Sequence, residues 1–233
     1  MKKYAMTSLE VLIAMSLVVA ATLLGINSLR VYINKDTDIS KFKHAFGSLS
    51  EAIYSMKHDS LMYPKEAKGF EDTDTYTYVD DNISYGGTTK FKNLFTSKFN
   101  VLENNVQITF SQSVPLIKYE DESKNVLYKT SKKLDCFIEN KGFMLCPPEI
   151  SLGSKEKLVS IYVPVYVNQI NTEDSNTTDI NKAIFVEIYK RGKIDIPASV
   201  EYYPNSKIID CTNKEYNSYS QCKILDKMTD IDF

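Results

Sequence analysis

Four cysteines, two histidines and one carboxylate at the head of an apolar run are the residues whose types could carry chemistry. Cys136, Cys146, Cys211 and Cys222 stand in two local groups. Four thiols allow three connectivities, and spacing alone does not choose among them. Joining neighbours would close DCFIENKGFMLC and CTNKEYNSYSQC, each bond adding about 2–4 kcal/mol by restricting the unfolded chain. Oxidation would fit a head outside the cytoplasm. Zinc is the rival, but its cysteines usually arrive as CxxC knuckles and these spacings are wider, so disulfides lead. His44 and His58 are the two histidines, too few for a multi-histidine metal centre. His58, Asp59 and Ser60 are triad residue types side by side, whereas a triad needs them converging in space, and neighbours on a helix point apart. Gly86-Gly87 reads as a turn with no phosphate-binding pattern around it. No paired-carboxylate or nucleophile-elbow pattern stands out, so no enzyme is expected. Two acidic stretches, Glu71, Asp72, Asp74, Asp80, Asp81 and Glu173, Asp174, Asn176, Asp179, lack the DxDxDG loop with its distal Glu and read as solvated loops.

The remaining carboxylate is Glu10. From Val11 to Leu29 the chain reads VLIAMSLVVAATLLGINSL without a charge, roughly 28 Å of helix and about one hydrocarbon thickness. Lys2 and Lys3 precede it, which favours a cytoplasmic N-terminus and leaves the bulk of the chain outside. A secretory signal peptide would end its apolar core at a small-residue cleavage site. Here the run passes instead into an amphipathic pattern. An ionisable group in a membrane helix asks for a partner or an interfacial escape, and a helix N-terminus does favour a negative charge.

Together the residues MKKYA-MTSLEVLIAMSLVVAA resemble the class III signal of type IV pilins and type II secretion pseudopilins. The resemblance covers the first 25 or so residues. It implies a leader, residues 1–5, cut by prepilin peptidase between Ala5 and Met6, with the new Met6 amine methylated. Glu10 is then the fifth mature residue, where the family places its glutamate, and in a filament it would neutralise the Met6 ammonium of a neighbouring subunit. Breaking such a desolvated pair from one side costs on the order of 3–5 kcal/mol, so Glu10 serves as a register device. The chain departs from the family pattern in having Ala5 in place of Gly, Met6 in place of Phe and Asn27 where many relatives carry proline. The resemblance also implies a C-terminal disulfide loop, with Cys211–Cys222 as its counterpart. Because several pseudopilins hold calcium in the head, Glu173, Asp174, Asn176 and Asp179 become its candidate ligands. No other cofactor is expected.

Beyond Arg30 the apolar residues Ile39, Phe42, Phe46, Leu49, Ile53 and Met56 recur in steps of three and four, one stripe of an amphipathic helix. Pro64 sets its outer limit. Strand-like segments follow at Tyr76–Val79, Val106–Phe110, Val114–Tyr119, Asn125–Tyr128, Leu158–Val167, Ala183–Tyr189 and Ser206–Cys211. Pro164 predicts an edge strand or a bulge, and Asn168–Asp179 reads as a surface loop. The expected class is α+β and pilin-like: a long N-terminal helix, membrane-spanning in its first half, packed on an antiparallel β-sheet head. The expected segments are the leader 1–5, a transmembrane and polymerisation helix 6–30, an amphipathic helix 31–62 and an extracytoplasmic head 63–233.

With 28 Lys+Arg against 30 Asp+Glu over 233 residues, the net charge is −2, and only Arg30 and Arg191 supply guanidinium groups. Such a surface does not favour nucleic acid overall. The expected function is a structural subunit, by its size a minor pilin or minor pseudopilin, of a type IV pilus or type II secretion-like filament. Its partners would be other pilin or pseudopilin subunits, prepilin peptidase, the inner-membrane assembly platform and membrane lipid, with DNA only in a competence-type system. It would sit in the bacterial inner membrane by one span, head outside the cytoplasm, before entering the filament at the cell surface. The alternative is a membrane-anchored extracellular binding or adhesion protein that never polymerises.

Overall fold

The computed structural model describes residues 38–64, 67, 69–71, 77–80, 83–167, 180–203 and 206–228. The chain divides into two compact units, Met1–Ser40 and Lys41–Phe233. The first is described only at residues 38–40; the second holds everything that follows.

The first helix, α1, is described over residues 38–58. Phe42, Ala45, Leu49, Ala52, Ile53 and Met56 are its buried face, the expected stripe except that two alanines join it and Ile39 and Phe46 are only half-buried. Lys43, His44, Glu51 and Lys57 lie on the exposed side. The helix ends in a turn in which Met62 and Tyr63 both donate to the Asp59 carbonyl, just before Pro64 would deny it a donor.

A small hairpin, β1 (Tyr78–Asp80) and β2 (Ile83–Tyr85), leads into a short 3-10 turn and α2 (Lys90–Ser97). The main sheet is antiparallel: β3 (Val101–Glu120), β4 (Val126–Glu139), β5 (Met144–Leu145), β6 (Lys157–Tyr166), β7 (Ile184–Tyr189) and β8 (Ile194–Asp195). Strand β9 (Ser199–Tyr203) pairs with β10 (Ser206–Asp210) as a separate hairpin, and α3 (Ser220–Met228) closes the described chain.

Strand β3 fuses the two expected segments around 106 and 114. Between Thr109 and Val114 four β3 residues face a single β4 residue, Lys132, and the Ser131 hydroxyl donates to the Lys133 carbonyl at 2.7 Å on the partner side. The bulge lets the hairpin turn over itself. Its tip reaches β6 through β3, with Ile117 opposite Ile161, while its base reaches β6 through β4 and β5, with Leu145 opposite Val165. Because β7 occupies the other edge of β6 over residues 160–165, β3 and β5 share one edge of that strand between them.

Pro164 lies in the gap they leave. Its carbonyl accepts from Cys146 N at 3.1 Å on the β5 side, so the missing N–H faces the same side, after the last β3 pair and before the first β5 pair. This differs from the expected edge strand or bulge: β6 is interior, and the break in the neighbouring strands removes the need for a donor.

Both sheet faces are covered. Phe137, Leu145, Val165 and Ile184 form one cross-strand row. Phe137 continues a ladder of rings, Tyr63–Phe70–Phe91–Phe95–Phe99–Phe137, with successive centroids 5.0–5.7 Å apart. On the opposite face Tyr162, Tyr166 and Phe185 pack with Val200, Ile208 and Ile209 of the β9–β10 hairpin and with Cys222 of α3. Two covered faces explain why β7 is buried along almost its whole length instead of alternating.

Candidate functional site

Ala5, Met6 and Glu10, the leader and the apolar run 11–29 lie outside the described residues, as do Glu173, Asp174, Asn176 and Asp179 and the loop around them. Among the described residues no helix is long and apolar enough to cross a membrane, and no group of three His, Cys, Asp or Glu could hold a metal ion. Of the first acidic stretch, Glu71 is a tie within the fold: it accepts Leu158 N at 2.7 Å and faces Lys190 Nζ at 3.9 Å.

All four cysteines are paired locally. Cys136–Cys146 joins β4 to the residue after β5, across a Cα separation of 4.1 Å, and Cys211–Cys222 joins the end of β10 to α3 across 5.1 Å. No thiol is left for zinc. Beside Cys222, Gln221 is fully buried. Its carboxamide accepts Phe185 N at 2.7 Å and donates to Pro197 O at 2.8 Å, so it ties α3 to β7 and to the segment before β9. A glutamine in a short polar segment carries no pattern that announces such a role.

The His58-Asp59-Ser60 sequence forms no triad. His58 Nδ1 lies 2.9 Å from Tyr54 O, with the two rings stacked at 3.9 Å. A carbonyl can only accept, so Nδ1 carries the hydrogen. The Asp59 carboxylate instead accepts Leu61 N at 2.9 Å. Neither group is aimed at Ser60.

A second cluster was invisible in the sequence. Glu187 is buried, and its carboxylate accepts from Ser160 Oγ at 2.5 Å and from the Tyr189 hydroxyl at 3.4 Å, with Tyr162 bonded to it as well. Strand register produces the group: Tyr162 stands opposite Glu187, and Ser160 opposite Tyr189. Hydroxyls replace water around a desolvated charge. Ser160 is fully buried, so its hydroxyl is closed to a substrate. Burial, and after it the Glu187 charge, pushes the Tyr162 and Tyr189 phenols up. Burial, then Glu201 and Glu187, raises Tyr128 to about 12. Burial alone raises Tyr63.

Each folded-state value lies above the unfolded phenol near 10. Their contribution is therefore complete below pH 10 and is lost as the pH climbs from 10 through 12 and beyond. Alkaline titration is expected to show phenolate absorbance and loss of near-ultraviolet circular dichroism rising together in that window. A smooth titration centred at pH 10 with the dichroism intact would contradict the assignment.

An open cleft of about 440 Å³ lies where α1 ends. Lys57 and His58 line it from the helix, Lys190 and Arg191 from the β7–β8 turn, and Tyr63, Pro64, Ala67 and Phe70 from the intervening segment. Two glycines hold that turn in place. Gly69, at φ +127°, lies so close to Lys190 that an added Cβ would stand 2.3 Å from the Lys190 carbonyl oxygen, and Gly192, at φ +85°, brings the turn onto Ile53 and the Lys57 stem. A second, smaller concavity of about 260 Å³ lies between α1 and the base of the β3–β4 hairpin. There Glu139 is buried and accepts Lys141 N at 2.7 Å.

No family model, curated protein or solved structure matches this chain. The class of protein consequently rests on its own residues.

Proposed function

We propose that the chain is a pilin-like structural subunit, a minor pilin or minor pseudopilin, anchored through residues 11–29 and assembled into a filament through its N-terminal helix. One observation carries the reading: Glu10 stands five residues into the segment that begins at Met6, behind a basic pentapeptide and at the head of an uninterrupted apolar run. A carboxylate there is costly in lipid unless a cation meets it, and the amine released by cleavage after Ala5 is such a cation. Two features of the head support it. The amphipathic α1 buries its apolar face within an antiparallel α+β unit, leaving a charged face for neighbouring subunits. Two disulfides suit an oxidising compartment.

The N-terminal mass of the full chain, expressed with and without a prepilin peptidase, tests the reading. Loss of residues 1–5 only when the peptidase is present, with a methylated Met6 amine, is expected. An intact N-terminus in both cases, or a cut beyond the apolar run, would remove the filament role. A non-polymerising anchored binding protein is the second reading, and the basic cleft at the end of α1 favours it.

A further inference from the structure

The cleft at the end of α1 gathers positive charge from parts of the chain more than a hundred residues apart. Lys57 comes from the helix, and Lys190 and Arg191 from the β7–β8 turn. Like charges brought together repel, and here the fold enforces the approach through two glycines in the left-handed half of backbone space, Gly69 and Gly192. The Lys57 stem passes over Gly192, with its Cδ 2.9 Å from where a Cβ would stand, so the absence of a side chain at 192 leaves room for it along the rim. Glu71 is the carboxylate beside this group, 3.9 Å from Lys190 Nζ, and it is already engaged by Leu158 N. Among the described residues the cleft therefore keeps an excess of about two positive charges.

We propose that this cleft is a binding site for a doubly charged oxyanion of the phosphate type, free or carried as a monoester. The charge matches, since a phosphate monoester carries about −1.5 to −2 at neutral pH. Arg191 offers a planar fork for two oxygens, and Lys57 and Lys190 offer point charges from either side. His58 adds a contact of a different kind. With Nδ1 committed to Tyr54 O, its Nε2 can donate to an oxyanion only when the ring is protonated. Pro64 and Ala67 line the same cleft and give the organic part of an ester an apolar wall. This assignment concerns the head alone and stands whether or not the chain enters a filament.

The test is calorimetric titration of the full-length protein in detergent, at low salt and neutral pH, with inorganic phosphate, glycerol 3-phosphate and glycerol. Saturable binding of at least one phosphate species, none of glycerol, and weakening as ionic strength rises are expected. Arg191→Gln and Lys57→Gln should each weaken binding about tenfold or more. Both side chains are on the surface of the cleft, and unchanged thermal unfolding of each variant verifies its fold. Lys155→Gln, which alters a 71% exposed side chain of the β5–β6 connection that pairs with Glu122 and does not line the cleft, should leave binding unchanged. Tighter binding of glycerol 3-phosphate than of phosphate assigns the site to an ester, and the reverse order to the free ion. Absence of binding by either, or an equal loss in the Lys155 variant, would overturn the proposal.

Discussion

Replacing Glu10 by alanine is expected to leave cleavage after Ala5 intact while removing the chain from filaments. In the proposed filament role the peptidase would act on the junction ahead of Met6, whereas the carboxylate would be needed later, when the helix leaves lipid and meets its neighbours. Deleting one side of a desolvated ion pair strands the other charge, a loss on the order of 3–5 kcal/mol and hence a hundredfold or more in assembly. Glu10→Gln should behave like the alanine, because it keeps the shape and loses the charge; Glu10→Asp should retain part of the function. Quantifying the mature protein in sheared filaments against that in membranes decides the matter. Incorporation of Glu10→Ala at the level of the unaltered protein would show that the carboxylate has no role in assembly.

Gln221→Leu is expected to cost about 2–4 kcal/mol of folding free energy. The leucine fits the volume, but it leaves Phe185 N and Pro197 O without the partners they have at 2.7 and 2.8 Å, in a region Gln221 itself seals from water. A buried donor or acceptor without a partner costs about 1–3 kcal/mol. The neighbouring Cys211–Cys222 bond contributes about 3 kcal/mol through the loop it closes. Both fasten α3, so their combined loss should fall short of the sum. Urea unfolding under oxidising conditions measures this through a lowered midpoint at unchanged slope. A shift below about 0.5 kcal/mol would mean that the carboxamide bonds are not formed.

The acidic side of the head behaves differently from its tyrosines. Hydrogen bonds from Thr212 and Lys207 hold the half-buried Asp210 carboxyl down at about 2, and the Lys129 hydrogen bond lowers Glu156. The Asp210 contribution is present above pH 4 and fades as the pH falls towards 2, the mirror image of the alkaline window, and that of Glu156 is likewise lost on acidification. Across neutral pH the head is consequently insensitive to these groups.

The sequence by itself determined whatever depends on short-range periodicity. The steps of three and four from Phe42 to Met56 define a buried helix face, and Pro64 bounds it. The β-branched runs at 106–110, 114–119, 158–167 and 183–189 are strands, whereas the pairing of the four cysteines was left open by their spacing and was decided by the fold. The proposed N-terminal signal rests on the same kind of contiguity, a basic pentapeptide, Glu10 and an apolar run that follow one another directly. Tertiary structure alone decided the rest. The two-turn helices α2 and α3 are too short to be stable by propensity, and they form because Phe91 and Phe95 enter a ladder of rings and Gln221 and Cys222 enter a core. Pro164 sits in an interior strand because β3 and β5 leave a gap beside it, which no property of residue 164 announces. Glu187 finds its hydroxyls through strand register, and the basic cleft unites residues 57 and 191 through two glycines. Such groups converge only when distant segments pack, and one-dimensional spacing does not encode that convergence.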